Sequence, residues 1–215
     1  MSRFQIVECE QGTPLWFSAR CGRATGSRAK AVLAKGKGKE EATTRRNYRI
    51  QLVCELLTGK TQEDEFMSRD MQKGKDREPF GRAAHEARSG LIVRETGFLA
   101  MSEFMAGCSL DGDVDNFKGL VSYKCPLPST HVGYLKEARI PPEYVAQATH
   151  EMWVTGAEWY EFVSFCPALP EALQLFIVRA ERSEFDVAGY ETELRRFLAE
   201  VNVELADLKK LKGAA

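Results

Sequence analysis

The residues whose types and spacing could do chemistry are Asp111 and the run Ser122-Tyr123-Lys124. Asp111 stands beside Gly112 at the expected end of a strand. Ser122 and Lys124 are two apart on the next expected strand, so their side chains leave the same face. An acid on one strand and a lysine on its neighbour can meet at one sheet edge. Phosphodiester hydrolysis uses that convergence. Carboxylates hold Mg²⁺, the metal polarises the phosphate and acidifies a water, and a lysine orients the nucleophile or steadies the developing charge. Taken alone, D-x10-S-x-K is weak evidence and reads as a surface aspartate and a snorkelling lysine.

The elements that must position these residues are read from periodicity. Thr13-Pro14 opens a helix with Trp16, Phe17 and Arg20 towards one side, and proline suits its first turn. Residues 34–40 read as a Gly/Lys-rich loop. A helix is expected over 45–57, with Gly59 behind it, and another over 82–96, its start blurred by Pro79 and Gly81. Strands are expected over 98–105, 120–125, 159–165 and 175–179, with a turn over 113–118. Helices are expected over 129–138 and 142–155. One amphipathic helix is expected over 183–211, with Tyr190, Leu194, Phe197, Leu198, Val201 and Leu205 on its apolar side. The order implies an α/β or α+β sandwich with a small mixed sheet.

The 215 residues suit one domain over 1–215 with a substantial core. Hydrophobic residues at 44% and charged residues at 28% exclude a disordered chain. No apolar run is long enough to span a bilayer, and residues 1–10 lack the apolar core of a signal peptide. The six cysteines form no CxxC pair, so reduced thiols in a cytoplasm are the expectation. His85, His131 and His150 have no mutual metal spacing and read as core or surface histidines. Trp16, Trp153 and Trp159 read as core rather than base-stacking residues, and Cys108 and Cys125 as small hydrophobes. The net charge of −1 hides a basic block. Residues 20–60 hold eleven Lys or Arg against three Glu, which fits either a phosphate footprint or a solvated loop.

Five motifs, in order, resemble the lambda-type, or YqaJ-like, viral recombinase exonucleases over nearly the whole chain. They are Trp16-Phe17-Ser18-Ala19-Arg20 with Gly22 and Thr25-Gly26-Ser27; Gly74-Lys75-Asp76-Arg77-Glu78; Cys108-Ser109-Leu110-Asp111-Gly112; Lys124-Cys125-Pro126; and Tyr144-Val145-Ala146-Gln147, followed by Met152-Trp153-Val154-Thr155 and Trp159-Tyr160. The resemblance implies a PD-(D/E)xK nuclease with a restriction-endonuclease-like core, a mixed central sheet flanked by helices. It implies that Asp111 binds metal, that Lys124 is the catalytic lysine, and that Glu78 is a carboxylate near the metals. The Tyr123 carbonyl becomes a main-chain ligand and Gln147 a glutamine of the active-site helix. Arg20 and Ser27 become readers of a 5′ phosphate, a task that suits a guanidinium. The implied activity is Mg²⁺-dependent (Mn²⁺ as substitute) 5′-to-3′ digestion of one strand of linear duplex DNA, releasing mononucleotides and leaving 3′ overhangs for recombination. The implied partners are duplex ends with a 5′ phosphate, a single-strand annealing protein and two further copies in a homotrimer, in the cytoplasm of a bacterial host.

One departure matters. The family pattern has Glu two residues before the lysine, and this chain has Ser122. A hydroxyl is a neutral, weaker ligand than a carboxylate. Three accounts fit. Water or a nearby carboxylate such as Asp113, Asp115 or Glu103 fills the gap; or the serine is an engineered substitution; or the protein binds DNA ends without cutting them. The expectation is retained activity with weakened metal affinity, against the alternative of an inactive end-binding factor. A site-specific endonuclease of the same fold is a third reading, against which the Arg20 and Ser27 match stands.

Overall fold

The computed structural model describes residues 3–38, 40–62 and 69–211. Its strands form two four-stranded sheets rather than the one sheet expected. The first contains β1 (Phe4–Val7), β2 (Ala24–Thr25), β3 (Phe98–Met101) and β4 (Ala106–Ser109), in the order β1-β3-β4-β2. The second contains β5 (Gly112–Val114), β6 (Gly119–Lys124), β7 (Trp159–Phe165) and β8 (Leu175–Glu181), in sequence order. Both sheets are mixed: β2 runs parallel to β4 and β6 parallel to β7, while the other pairs are antiparallel. Leu110 and Asp111 alone separate β4 from β5, so the chain passes from one sheet to the other at Asp111.

Parallel neighbours need a crossover. Between β6 and β7 it is made by α5 (Pro128–Glu137) and α6 (Pro142–Thr155), each with proline in its first turn. Ala148, Met152 and Trp153 of α6 share a buried core with Leu120, Tyr160 and Phe162, so α6 covers the face of β6 and β7 that bears the even-numbered side chains. The opposite face buries Val121, Tyr123 and Val163 and is covered by α4 (Arg69–Ser89). Gly119 opens β6 across from Trp159, and a Cβ there would lie 1.9 Å from the indole. The long C-terminal helix α7 (Val187–Leu211) packs its apolar stripe, Tyr190 to Val201, partly on α3 (Thr43–Thr58), where Phe197 stacks on Tyr48 at 5.4 Å.

Several expectations change. The helix expected over 82–96 is α4, which begins earlier, carries Pro79 inside it, and stops at Ser89, where Gly90 turns left-handed (φ 72°). Gly81 lets this helix press on β7, since its Cβ position lies 3.1 Å from Phe165 Cβ. The strand expected over 98–105 is the first arm of the hairpin β3–β4. The expected turn over 113–118 yields its first residues to β5, and left-handed Asp115, Asn116 and Phe117 make the turn proper. The C-terminal helix starts at Val187 rather than at residue 183, after a short 3-10 turn capped by Glu181 and Glu184. The strand β1, only four residues with two of them exposed, gave no periodic signal. Among the described residues, no helix is long and apolar enough to cross a membrane.

Candidate active site

The centre of the site is the Asp111 carboxylate. Its Oδ2 accepts hydrogen bonds from Ser122 Oγ (2.9 Å), the Tyr123 amide (3.0 Å) and Lys124 Nζ (3.0 Å). The ammonium also donates to the Tyr123 carbonyl at 3.0 Å. The hairpin-like pairing of β5 with β6 sets this arrangement. Gly112 faces Val121, so the residue before Gly112 reaches the Ser122–Lys124 end of β6. The expected convergence of Asp111, Ser122, Tyr123 and Lys124 is therefore present. Arg82 of α4 steadies it from behind, donating to the Asp111 carbonyl at 2.6 Å while its guanidinium lies 5.2 Å from the Tyr123 ring.

Two further carboxyl groups flank Asp111, one from each helix that sandwiches the sheet. Glu78 comes from α4, where Arg82 lies 3.8 Å away. Burial, then the charge of Asp111, pushes Glu78 up to about 7, against the pull of Lys124 and Arg82. Glu151 comes from α6 and is 4% exposed. Burial, then Asp111, pushes it up to about 8, against the hydrogen bond from Gln147, the charge of Lys124 and the bond from Tyr160. Burial acts to lower the Lys124 pKa, but Asp111 and then Glu151 outweigh it and hold the ammonium above its ordinary value.

Glu151 was not among the residues singled out from the sequence. The available signal was its place four residues after Gln147, on the same helix face. Gln147 Nε2 donates to Glu151 Oε1 at 2.8 Å, so in this structure the glutamine holds that carboxyl group. The three carboxylates weighed as replacements for the missing strand glutamate lie elsewhere. Asp113 is buried and committed to Arg94 (2.8 Å) and the Phe117 amide (3.1 Å), while Glu103 and Asp115 are exposed.

A second cluster surrounds Arg20, at the C-terminal end of α1 (Pro14–Arg20), whose N-cap is Thr13. The guanidinium is 7% exposed and stacks 4.1 Å from the Trp16 ring centroid. Its Nη2 reaches Ser27 Oγ at 3.4 Å and Thr25 Oγ1 at 3.5 Å. Trp16 is therefore half-buried support for Arg20 rather than core, and its indole donates to Ser109 of β4 at 2.7 Å. Arg20 and Ser27 are thus together, as expected. The turn that carries Ser27 touches the carboxylate cluster: a Cβ on Gly26 would lie 3.3 Å from Glu151 Oε1 and 3.5 Å from Gln147 Cγ.

The basic block is less available than its composition implied. Arg45 pairs with Glu41 and Glu200, and Arg49 with Glu41 and Glu204, tying α3 to α7. Arg23 donates to the carbonyls of Met101 and Phe104. The three histidines are core residues. His85 bridges Tyr123 and Glu161, His131 bridges Ser164 and the Leu173 carbonyl, and His150 bridges Tyr190 and the Gly107 carbonyl.

The donor set fits a hard divalent cation in its chemistry, with carboxylate and carbonyl oxygens only. Burial and then Asp111 keep protons on Glu78 and Glu151 that a bound cation would displace. Among the described residues no three His, Cys, Asp or Glu side chains are grouped closely enough to hold a metal ion, and Lys124 bonds to Asp111 Oδ2.

Comparison with known proteins agrees with this geometry. The chain is 37% identical to the alkaline exonuclease LHK-Exo from Laribacter hongkongensis, with a TM-score of 0.83 over 94% of this chain and 98% of that one. The same exonuclease in complex with dAMP matches at 38% identity over the same shares, again with a TM-score of 0.83. A phage-related exonuclease from Haemophilus somnus 129PT shares the fold at 13% identity (TM-score 0.65, 88% of this chain and 96% of that one). No curated protein matches the chain. A family model for the YqaJ-like viral recombinase domain matches residues 15–158, which contain the Arg20 cluster and every carboxylate of the site, and the chain belongs to that family.

Proposed function

We propose that this chain is a metal-dependent exonuclease that digests one strand of linear duplex DNA from its 5′ end and leaves 3′ single-strand overhangs. The observation that carries this reading is the convergence of Asp111, Lys124 and the Tyr123 carbonyl within 3.0 Å hydrogen bonds, with the turn that bears Ser27, beside the buried Arg20, packed against Glu151. Arg20, fixed by Trp16 and facing Ser27, offers the terminal 5′ phosphate a pre-oriented guanidinium with a hydroxyl beside it. Asp111, the Tyr123 carbonyl and Glu78 are the groups to hold Mg²⁺ or Mn²⁺. When bound, the cation supplies charge to the scissile phosphate and makes a coordinated water more acidic.

Lys124 does the rest from the sheet edge. Its ammonium, charged at any working pH because Asp111 holds its pKa up, can swing from Asp111 Oδ2 to hold the attacking water or the phosphate oxygen. The water oxygen bonds to phosphorus, the bond from phosphorus to the 3′ oxygen of the end nucleotide breaks, and that oxygen takes a proton. A 5′ mononucleotide leaves, and the shortened strand again carries a 5′ phosphate for Arg20. LHK-Exo binds a ligand of the product class, dAMP.

The test is digestion of linear duplex DNA bearing a 5′ phosphate or a 5′ hydroxyl, with Mg²⁺ titrated and Lys124→Ala as control. Metal-dependent release of mononucleotides, faster from the phosphorylated end and abolished in the control, is the expected result. Binding of ends without release at any Mg²⁺ concentration would leave an end-binding factor instead. Nicking of closed circles would point to an endonuclease. The homotrimer and the annealing-protein partner belong to the same reading, and sedimentation of the purified chain tests the first.

A further inference from the structure

We infer that Glu151 is a ligand of the divalent cation, a carboxylate supplied by helix α6 in place of the one that strand β6 lacks at Ser122. The inference rests on the exonuclease reading above and concerns one chemical position within it.

Ser122 projects from β6 towards α6, because its register partner is Phe162 and both Phe162 and Tyr160 lie in the core that α6 covers. A carboxylate missing from that spot can therefore be replaced from above by α6. It cannot be replaced by Asp113, which is spent on Arg94 and the Phe117 amide.

Tyr160 lies between the two positions: its hydroxyl donates to Glu151 Oε2 at 3.1 Å and is within hydrogen-bonding reach of the Ser122 hydroxyl. One phenolic oxygen thus separates the serine from the carboxyl group. The charges that act on Glu151 are Asp111 and Lys124, the pair at the centre of the site.

Glu151 is 4% exposed, and the groups on its oxygens are two neutral donors, Gln147 and Tyr160. No lysine or arginine ion pair to it is present among the described residues. Burying a carboxyl group beside another carboxylate, with only the Lys124 ammonium that Asp111 already binds as countercharge, is unfavourable, and an apolar side chain would pack there at less cost. A bound cation removes that disadvantage. Gln147 and Tyr160 hold the carboxyl group by its outer hydrogen bonds, as residues behind a metal ligand do.

Ser122 Oγ donates to Asp111 Oδ2 at 2.9 Å. A glutamate there would place a third charge against Asp111 and Glu151. The hydroxyl instead orients Asp111, which makes the pair Ser122 and Glu151 a coherent exchange of roles rather than a lost ligand.

The experiment uses the full chain as wild type, Glu151→Gln, Ser122→Glu and the double variant Ser122→Glu/Glu151→Gln. Mn²⁺ binding is measured by the loss of the free-ion electron paramagnetic resonance signal, with no DNA present. Melting curves in EDTA check that each variant is folded. Glu151→Gln is expected to weaken Mn²⁺ binding on the order of 10–100-fold, and the double variant to recover to within about 3-fold of wild type by returning the carboxylate to the strand. Should Glu151→Gln not fold, Glu151→Asp, which draws the carboxyl group back by one methylene, takes its place with a smaller loss expected. Unchanged Mn²⁺ binding in Glu151→Gln, or no recovery in the double variant, overturns the inference. Digestion of linear duplex is read in parallel. If wild type binds Mn²⁺ through Glu151 yet digests nothing, the exonuclease reading fails and the ligand assignment stands. If wild type binds no Mn²⁺, the ligand assignment fails whatever the digestion shows.

Discussion

Replacing Glu151 by glutamine should make the metal-free protein more stable in base and leave it unchanged in acid. The folded chain holds this carboxyl group near 8, through burial first and the charge of Asp111 second, against an ordinary value of 4.5. Folded protein therefore keeps a proton on Glu151 between pH 4.5 and 8 that unfolded protein has released, and stability falls as pH rises through that window. At about 1.4 kcal/mol per pH unit the full loss is about 5 kcal/mol. Coupling to Asp111 and Lys124 shares part of that among three groups, so roughly half, about 2–3 kcal/mol, belongs to Glu151 alone. Glutamine keeps the shape and can still accept from Gln147, but carries no charge to bury. For a chain of this size the difference is about 5–10 °C in melting temperature. The assay is a set of melts of both proteins in EDTA from pH 5 to pH 9. The variant should melt with wild type at pH 5 and pull ahead steadily to pH 9. An offset that stays constant with pH, or a variant that melts lower at pH 9, would refute the reasoning.

Protons should also compete with the cation. Because Glu78 titrates near 7 and Glu151 near 8, the Mg²⁺ concentration for half-maximal digestion is expected to rise on the order of 100-fold between pH 9 and pH 6.5, and a flat profile would contradict the assignment of either group as a ligand. Arg20→Lys keeps the charge and loses the planar fork, so kcat/KM on 5′-phosphorylated ends should fall roughly 10–100-fold while 5′-hydroxyl ends change little; equal losses on both would show that Arg20 does not read the phosphate. His85→Ala removes the bridge between Tyr123 and Glu161 from a fully buried position and should cost about 3 kcal/mol, seen as a drop in melting temperature that His85→Gln partly restores.

Much of the site was legible because its parts obey short-range rules. The alternation of a strand puts Ser122 and Lys124 on one face whatever the rest of the fold does, and the Thr13-Pro14 start fixes where Arg20 ends its helix. The motifs around these residues then supplied the order of the elements. What escaped the reading depends on long-range packing. The number of sheets is set by where Leu110 and Asp111 divert the chain between β4 and β5, a step no local pattern encodes. Pro79 marked a helix boundary by its chemistry, yet packing on β7 carries α4 straight through it. Arg45 and Arg49 looked like part of a phosphate footprint until α7 brought Glu200 and Glu204 to them from 155 residues away. Glu151 looked like any polar residue on an amphipathic helix, and only the crossover that lays α6 over β6 and β7 shows where it goes.

Tyr123 serves this site by its main chain alone. Its amide binds Asp111 and its carbonyl receives Lys124, while its ring points through to the far side and is pinned there by His85, itself held by Glu161, to which Arg179 donates in turn. The sheet thus has a working front and a clamped back. The clamp fixes the main chain at one residue, and the two peptide units that flank it aim a hydrogen and an oxygen at the reacting groups. Side-chain chemistry at residue 123 is accordingly invisible to the substrate, yet a change in the ring's anchorage behind the sheet rotates two donors and acceptors in front of it together. Tuning of the front can arise from substitutions that never touch DNA or metal.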